Sequence, residues 1–204
     1  MPALLDVRVQ QFSGLSLVRP RDWEQLRHEE GGAGRPVPYW ARPWPSGIAL
    51  AEVVSVAPPA PRTAVLEIGC GLGLPSLAAA RAGAFVLATD GSPEAVAFAA
   101  HSLALNEVEG EVGLVDWATQ GDVLAARGSW DLVLAADVLY LQANVELALR
   151  LLPRLVTRDG VILLADPGRA GARDFLAAAR ASFALRTTHH GEIAIHYLTP
   201  RSRP

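Results

Sequence analysis

Lysine is absent from this chain: all 18 of its basic residues are arginines. The 21 acidic residues outnumber them, giving a formal net charge of -3, and no run of basic residues occurs. A protein that follows a phosphate backbone needs a concentrated positive surface, so nucleic acid is not expected as a partner. Cys70 is the single cysteine, which excludes an intrachain disulfide and any multi-cysteine metal site and suits a reducing cytoplasm. No metal is expected. No apolar run approaches the ~20 residues of a bilayer span, so no membrane partner is expected either. The opening Met1-Pro2-Ala3-Leu4-Leu5-Asp6 has neither a basic region leading into a long apolar stretch nor an Arg/Ser-rich transit composition, and no targeting segment is expected there. Charge is sparse, at 19%, while half the residues are hydrophobic, so an apolar core can form. At 204 residues the chain suits one sizeable α/β unit rather than two.

Residues 1–61 read as an N-terminal extension packing on a core domain at 62–204. Val7 to Phe12 and Leu15 to Val18 flank Ser13-Gly14 and are expected to pair as a hairpin or to join a sheet edge. Gly31-Gly32-Ala33-Gly34-Arg35-Pro36 reads as a flexible break, and the prolines of Val37 to Gly47 forbid a regular helix. After Pro45-Ser46 the apolar spacing of Ile48, Leu50, Ala51, Val53 and Val54 predicts a helix that ends at Pro58-Pro59. From Thr63 onward short apolar runs alternate with helix-length segments, the pattern of βαβ units in a sheet buried on both faces. The strands are expected at Ala64 to Ile68, Ala84 to Ala88, Glu111 to Val115, Asp131 to Ala135 and Val161 to Ala165. Helices are expected at Leu74 to Arg81, Pro93 to Leu105, Asn144 to Val156 and Ala172 to Arg180. Crossover connections make such a sheet parallel. Phe183 to Thr187 and Ile193 to Leu198 have no helix between them and should close the chain as an antiparallel hairpin. The expected fold is a Rossmann-like, doubly wound α/β sheet of seven strands, mostly parallel, with that hairpin at its end.

Val65-Leu66-Glu67-Ile68 runs into Gly69-Cys70-Gly71-Leu72-Gly73 at the start of a helix. Such a turn lets a ligand approach the backbone, and the helix N-terminus offers free amide donors. A dinucleotide site would want Gly-x-Gly-x-x-Gly, but the last position falls on Leu74 or Ser76, counted from Gly69 or Gly71. Asp90 ends the next strand, where its carboxylate can take both ribose hydroxyls of an adenosine or instead cap the helix at Pro93. Asp116-Trp117 follows the third strand and offers an acceptor for an adenine amino group beside an aromatic face; structurally, Asp116 would be a turn residue and Trp117 a core anchor. Three such elements at successive C-terminal strand ends lie where open α/β sheets bind ligands.

Gly-x-Gly-x-Gly with Glu67 two residues ahead resembles motif I of class I methyltransferases. Three further segments resemble the seven-β-strand lysine methyltransferases of methyltransferase family 16, and among them the enzymes acting on the electron transfer flavoprotein β subunit. These are Pro38-Tyr39-Trp40-Ala41 with Trp44-Pro45-Ser46-Gly47, Asp137-Val138-Leu139-Tyr140 after the fourth strand, and Asp166-Pro167-Gly168-Arg169 after the fifth. The likeness runs from about Pro38 to the C-terminus. It implies S-adenosylmethionine as cofactor, held by Trp44, Glu67, Gly69, Cys70, Gly71, Gly73, Asp90, Asp116, Trp117 and Asp137, and a protein lysine as methyl acceptor, in the first place on that β subunit. Asp137 and Tyr140 are the expected catalytic pair.

The chemistry sets their task. A lysine amine attacks only when neutral, and at a pKa of ~10.4 its deprotonation at pH 7 costs about 4 to 5 kcal/mol. Desolvation beside a sulfonium can supply part of this, while a carboxylate and a phenol orient the lone pair. In structural terms Asp137 would cap a helix, Tyr140 would pack, and Arg169 would pair with Asp166. Trp40 and Trp44 wall a pocket or touch a ligand, and His189, His190 and His196 read as structural or surface residues. The same fold also serves small-molecule N- or O-methyltransferases and silent cofactor-binding modules. A pocket closed over the methyl group marks a small-molecule acceptor, an open cleft a protein.

Overall fold

The computed structural model describes residues 6–201, so all of the opening segment but Asp6 lies outside the described residues. A hairpin comes first, β1 (Val7–Phe12) and β2 (Leu15–Pro20), followed by α1 (Trp23–Gly32), a 3-10 turn at Tyr39–Ala41 and α2 (Pro45–Val56). The alternating part runs β3 (Ala64–Ile68), α3 (Leu74–Arg81), β4 (Phe85–Asp90), α4 (Pro93–Leu105), β5 (Glu111–Leu114) and α5 (Trp117–Ala126). It continues through β6 (Trp130–Ala136), α6 (Gln142–Leu155), β7 (Val156–Asp166) and α7 (Ala170–Ala179) to β8 (Phe183–His190) and β9 (Ile193–Pro200). The main sheet has seven strands in the order β5-β4-β3-β6-β7-β9-β8. β3 to β7 pair in parallel, and β9 lies antiparallel between β7 and β8. The chain moves outward from β3 to β5 on one side and resumes at β6 on the other, so the loops after β3 and β6 diverge and leave a crevice at the strand ends.

Apolar runs form these strands because both faces are covered. Successive residues alternate between two cores: Val65, Leu132, Leu134 and Leu163 face one, with α2, α3 and the hairpin's Leu15 and Leu17. Leu66, Val133, Ala135 and Leu164 face the other, with α6 and α7. Helix α4 begins where Ser92 accepts the Ala95 N–H at 3.2 Å, with Pro93 in its first turn. The N-terminal hairpin is separate from the main sheet. Ser16 and Val18 donate their amides to Asn106 Oδ1 (2.9 Å) and Ser102 Oγ (3.1 Å), so the end of α4 satisfies part of a strand edge that would otherwise be open.

The expected elements are present with small shifts, and two helices arise where none was expected. Helix α1 buries only Leu26, so its apolar periodicity is weak, and it takes in Gly31 and Gly32, which read as a break. Its one clear signal is Asp22, whose carboxylate accepts the Gln25 N–H at 3.0 Å. Helix α5 contains Gly121, a residue that lowers helix propensity. The structure supplies the reason, since a Cβ there would stand 3.3 Å from Leu151 on α6. Strand β7 starts earlier than expected, at Val156 opposite Trp130, passes an irregularity, and resumes its register at Val161 opposite Leu132. Among the described residues no helix is long and apolar enough to cross a membrane.

Candidate functional site

The crevice is a cleft of about 670 Å³ reached by the ends of β3, β4, β5 and β6 and walled by the segment before α2. Every residue expected to hold cofactor or act in catalysis lines it. Gly69, Gly71 and Gly73 all have positive φ, at 61°, 53° and 75°. The loop is also crowded from behind: a Cβ on Gly69 would lie 3.0 Å from Val138, on Gly71 3.3 Å from the Trp40 carbonyl, and on Gly73 2.9 Å from the Ala99 Cβ. Glycine is therefore required twice over, by conformation and by space. Cys70 is buried within the loop, its N–H donating to Thr89 O at 2.9 Å, and burial pushes its thiol well above the ordinary range.

Two carboxylates hold this loop. Glu67 is buried, and its Oε2 accepts the Ser76 N–H of the first turn of α3 at 2.9 Å. Burial pushes its pKa up to about 8, the Ser76 hydrogen bonds oppose this, and the charge of Asp90 adds to it. Asp90 does not cap α4, a place taken by Ser92. It accepts the Gly71 N–H at 2.8 Å through Oδ2 and the Ser92 N–H at 2.9 Å through Oδ1. Burial raises its pKa, while the amides of Ser92, Gly71 and Gly91 pull it down. Asp116 is the N-cap of α5, with Oδ1 accepting the Ala118 N–H (2.9 Å) and Oδ2 the Thr119 hydroxyl (3.0 Å). Trp117 packs on the second core. Both structural alternatives for this pair are thus realised, and both residues still face the cleft.

Asp137 follows β6 with φ 59°, a conformation uncommon outside glycine. Its N–H donates to Ala165 O at 2.9 Å, which ties the ends of β6 and β7 together. It caps no helix, since α6 starts after Leu141 with no side-chain cap. Arg169 is its partner: Nε donates to Asp137 Oδ1 at 2.6 Å, and only 9% of the Asp137 side chain is exposed. The expected alternative, Arg169 paired with Asp166, is corrected by this geometry. Asp166 Oδ1 instead accepts the backbone N–H groups of Gly168 and Arg169, both at 2.7 Å, and so shapes the loop that delivers the guanidinium. That role for Arg169 was not visible in the sequence, although the Asp-Pro-Gly-Arg segment marked the place.

The rim is aromatic. Tyr140 is 49% exposed and its ring lies 5.8 Å from that of Tyr39, which is equally exposed. Burial of the rest of Tyr140, with the negative charge of Asp90, raises its phenol pKa. Trp44 donates its Nε1–H to Tyr39 O at 2.7 Å and packs edge-on against Trp23 at 6.1 Å. Trp40 stacks near Phe98 and sets its backbone behind Gly71. Tyr39 was not expected as a cleft residue; only its place beside Trp40 in the N-terminal motif pointed to it.

The family described as lysine methyltransferase matches residues 42–180. The electron transfer flavoprotein beta subunit lysine methyltransferase of Xenopus laevis is 33% identical over 136 residues, covering 65% of this chain and 54% of the relative. The protein of that name from Danio rerio is 32% identical over 142 residues, covering 68% of this chain and 54% of the relative. The chain spans about half the length of these curated relatives. Among solved structures, a SAM-dependent methyltransferase from Agrobacterium tumefaciens superposes with a TM-score of 0.67 at 18% identity over 97% of this chain and 71% of its own, a likeness of fold.

Proposed function

The chain belongs to the lysine methyltransferase family, and from that premise we propose that it transfers the methyl group of S-adenosylmethionine to a lysine side chain of a folded protein. The electron transfer flavoprotein β subunit is the first candidate acceptor, on the names of the similar proteins and on Asp166-Pro167-Gly168-Arg169. The cleft fits the cofactor in size and in donor set. About 670 Å³ lies within the range of small-molecule sites. Three positive-φ glycines form a cradle that any Cβ would spoil, and Asp90, Asp116 and the buried Glu67 face it with acceptor oxygens. In this reading Asp90 holds the ribose, Asp116 and Trp117 the adenine, and Glu67, Cys70 and the glycine loop the amino-acid part, with Trp44 and Asp137 beside it. When bound, S-adenosylmethionine supplies an electrophilic methyl group on a sulfonium.

The chain's own residues do the rest. The incoming ammonium must lose a proton, which passes to water at the open rim, and present its lone pair in line with the methyl group. Arg169 engages Asp137 Oδ1, so Oδ2, which has no hydrogen-bond partner among the described residues, accepts an N–H of the amine. Asp137 is then an aligning acceptor more than a proton acceptor. Tyr140 lines the same cleft with its phenol neutral, since burial raises its pKa.

The observation that carries a protein acceptor over a small molecule is the open rim, where Tyr39 and Tyr140 are each 49% exposed. Residues 1–61 act here as an extension that adds Tyr39 and Trp44 to the cleft wall. A cytoplasmic setting belongs to the same reading, supported by a sequence whose single cysteine can form no intrachain disulfide. The test is incubation with methyl-labelled S-adenosylmethionine and purified electron transfer flavoprotein, followed by peptide mass spectrometry. Methylated lysine in the β subunit is expected; label entering only small metabolites would refute the protein acceptor.

A further inference from the structure

The hairpin and the start of α1 border a second, open groove of about 440 Å³, and Arg42, Pro43 and Ile48 line both it and the cleft. Its lining includes Arg8, Arg19, Arg21 and Arg42, with Asp22 and Glu24 where α1 begins. Arg8 and Arg19 stand directly opposite each other in the β1–β2 register, a like-charge pairing that disfavours the hairpin unless an anion offsets it.

Arg19 is the unusual member. It is 8% exposed, forms no ion pair among the described residues, and has a buried Nε without a hydrogen-bond partner. Its one bond is long, from Nη1 to Pro20 O at 3.5 Å. Gln10, two residues along the same face from Arg8, also has a buried and unpartnered Oε1. Taking a charge out of water without a counter-charge costs several kcal/mol. The nearby carboxylates are engaged elsewhere: Asp6 pairs with Arg21 (2.6 Å), Glu24 with Arg27 (2.9 Å), and Asp22 caps α1. Arg8 and Arg42 likewise have no carboxylate within ion-pair distance among the described residues, and Arg42 lies over the Trp44 ring at 4.9 Å, on the cleft side.

We propose that this groove is a docking subsite for an acidic side chain of the protein substrate, held by Arg19 and Arg8 beside the cleft that receives the target lysine. The inference rests on the protein-methyltransferase reading. A guanidinium fork matches a carboxylate in two parallel hydrogen bonds, and the shared lining at Arg42 makes the two sites continuous. A nucleic-acid backbone would need a longer positive track than one groove on a chain of net charge -3.

The test uses the full chain and a fluorescein-labelled peptide of six glutamates, with its glutamine counterpart, inorganic phosphate and oligothymidylate as competitors. The glutamate peptide should bind saturably, and Arg19→Gln should weaken it by about tenfold, the loss of one charge-assisted contact. Arg8 is exposed, so Arg8→Glu keeps the test decisive should Arg19→Gln fold poorly; it should abolish peptide binding and leave S-adenosylmethionine affinity unchanged. In methyl transfer to the flavoprotein β subunit, Arg8→Glu should raise KM. Equal binding of the glutamine peptide, or displacement by phosphate or oligothymidylate ahead of free glutamate peptide, overturns the assignment. Methyl transfer whose KM ignores Arg8→Glu overturns the docking role alone. Absence of transfer to any protein overturns the proposed function and the docking role with it.

Discussion

Asp137→Asn separates alignment from folding, because the structure makes it a mild substitution for the backbone and a severe one for the chemistry. Asparagine tolerates the left-handed region, so φ 59° adds little strain. The amide keeps the size of the carboxylate and a carbonyl for the Arg169 Nε–H, now 2.6 Å away, but loses the charge. Because the Arg169 side chain is 40% exposed, the lost ion pair is discounted for screening to about 1 kcal/mol. A melting point lowered by about 2 to 4 °C is expected, so the variant stays folded at assay temperature. Turnover is another matter. An acceptor that aligns the amine near the methyl group contributes about one to three powers of ten, or roughly 1.4 to 4 kcal/mol of barrier. Single-turnover methyl transfer should fall by that factor, while calorimetry shows a far smaller change in S-adenosylmethionine affinity. Raising the pH toward the pKa of lysine should restore only part of the rate, since a neutral amine still lacks its guide. Full rescue at high pH would make Asp137 a proton acceptor only, and an unaltered rate would remove it from the mechanism.

Three further outcomes follow from the same geometry. Asp90→Ala removes the acceptor for the Gly71 N–H as well as the expected ribose contact, so S-adenosylmethionine affinity should fall by at least about tenfold in calorimetry; unchanged affinity would move the ribose elsewhere. Glu67 titrates near 8 in the folded chain and near 4.3 when unfolded. Between those values the native state holds a proton that the unfolded state has released, so stability falls as pH rises through the window. Glu67→Gln keeps an acceptor for Ser76 and cannot ionise, so its melting point without added cofactor should rise above the parent's between pH 5 and 8. Parallel curves would show the carboxylate to be solvated. Gly73→Ala meets both a φ of 75° and an Ala99 Cβ at 2.9 Å, and should cost about 1 to 3 kcal/mol by chemical denaturation.

Much of this protein was legible in the sequence because the signals are local. Strand β3 and helices α3 and α4 appear at the expected residues, since alternation, glycine turns and a Ser-Pro helix start act within one pleat or one turn. The glycine loop, Glu67 within β3, Asp90 at the end of β4 and Asp116 after β5 were readable for the same reason, and the parallel order follows from crossovers that leave few alternatives. Helix α1 was not, because one buried leucine makes no periodic signal, and α5 was hidden by Gly121, whose value lies in its approach to α6. The tertiary structure alone decided the partner of Asp137: Arg169 is 32 residues away, and the two meet only because β6 and β7 lie side by side with their loops at one end. It alone also set Arg8 against Arg19 and opened their groove toward the cleft through Arg42. Hydrophobic pattern specifies which face a residue takes, but the partner of a buried charge depends on which elements become neighbours, and that is settled only when the two cores on either side of the sheet have packed.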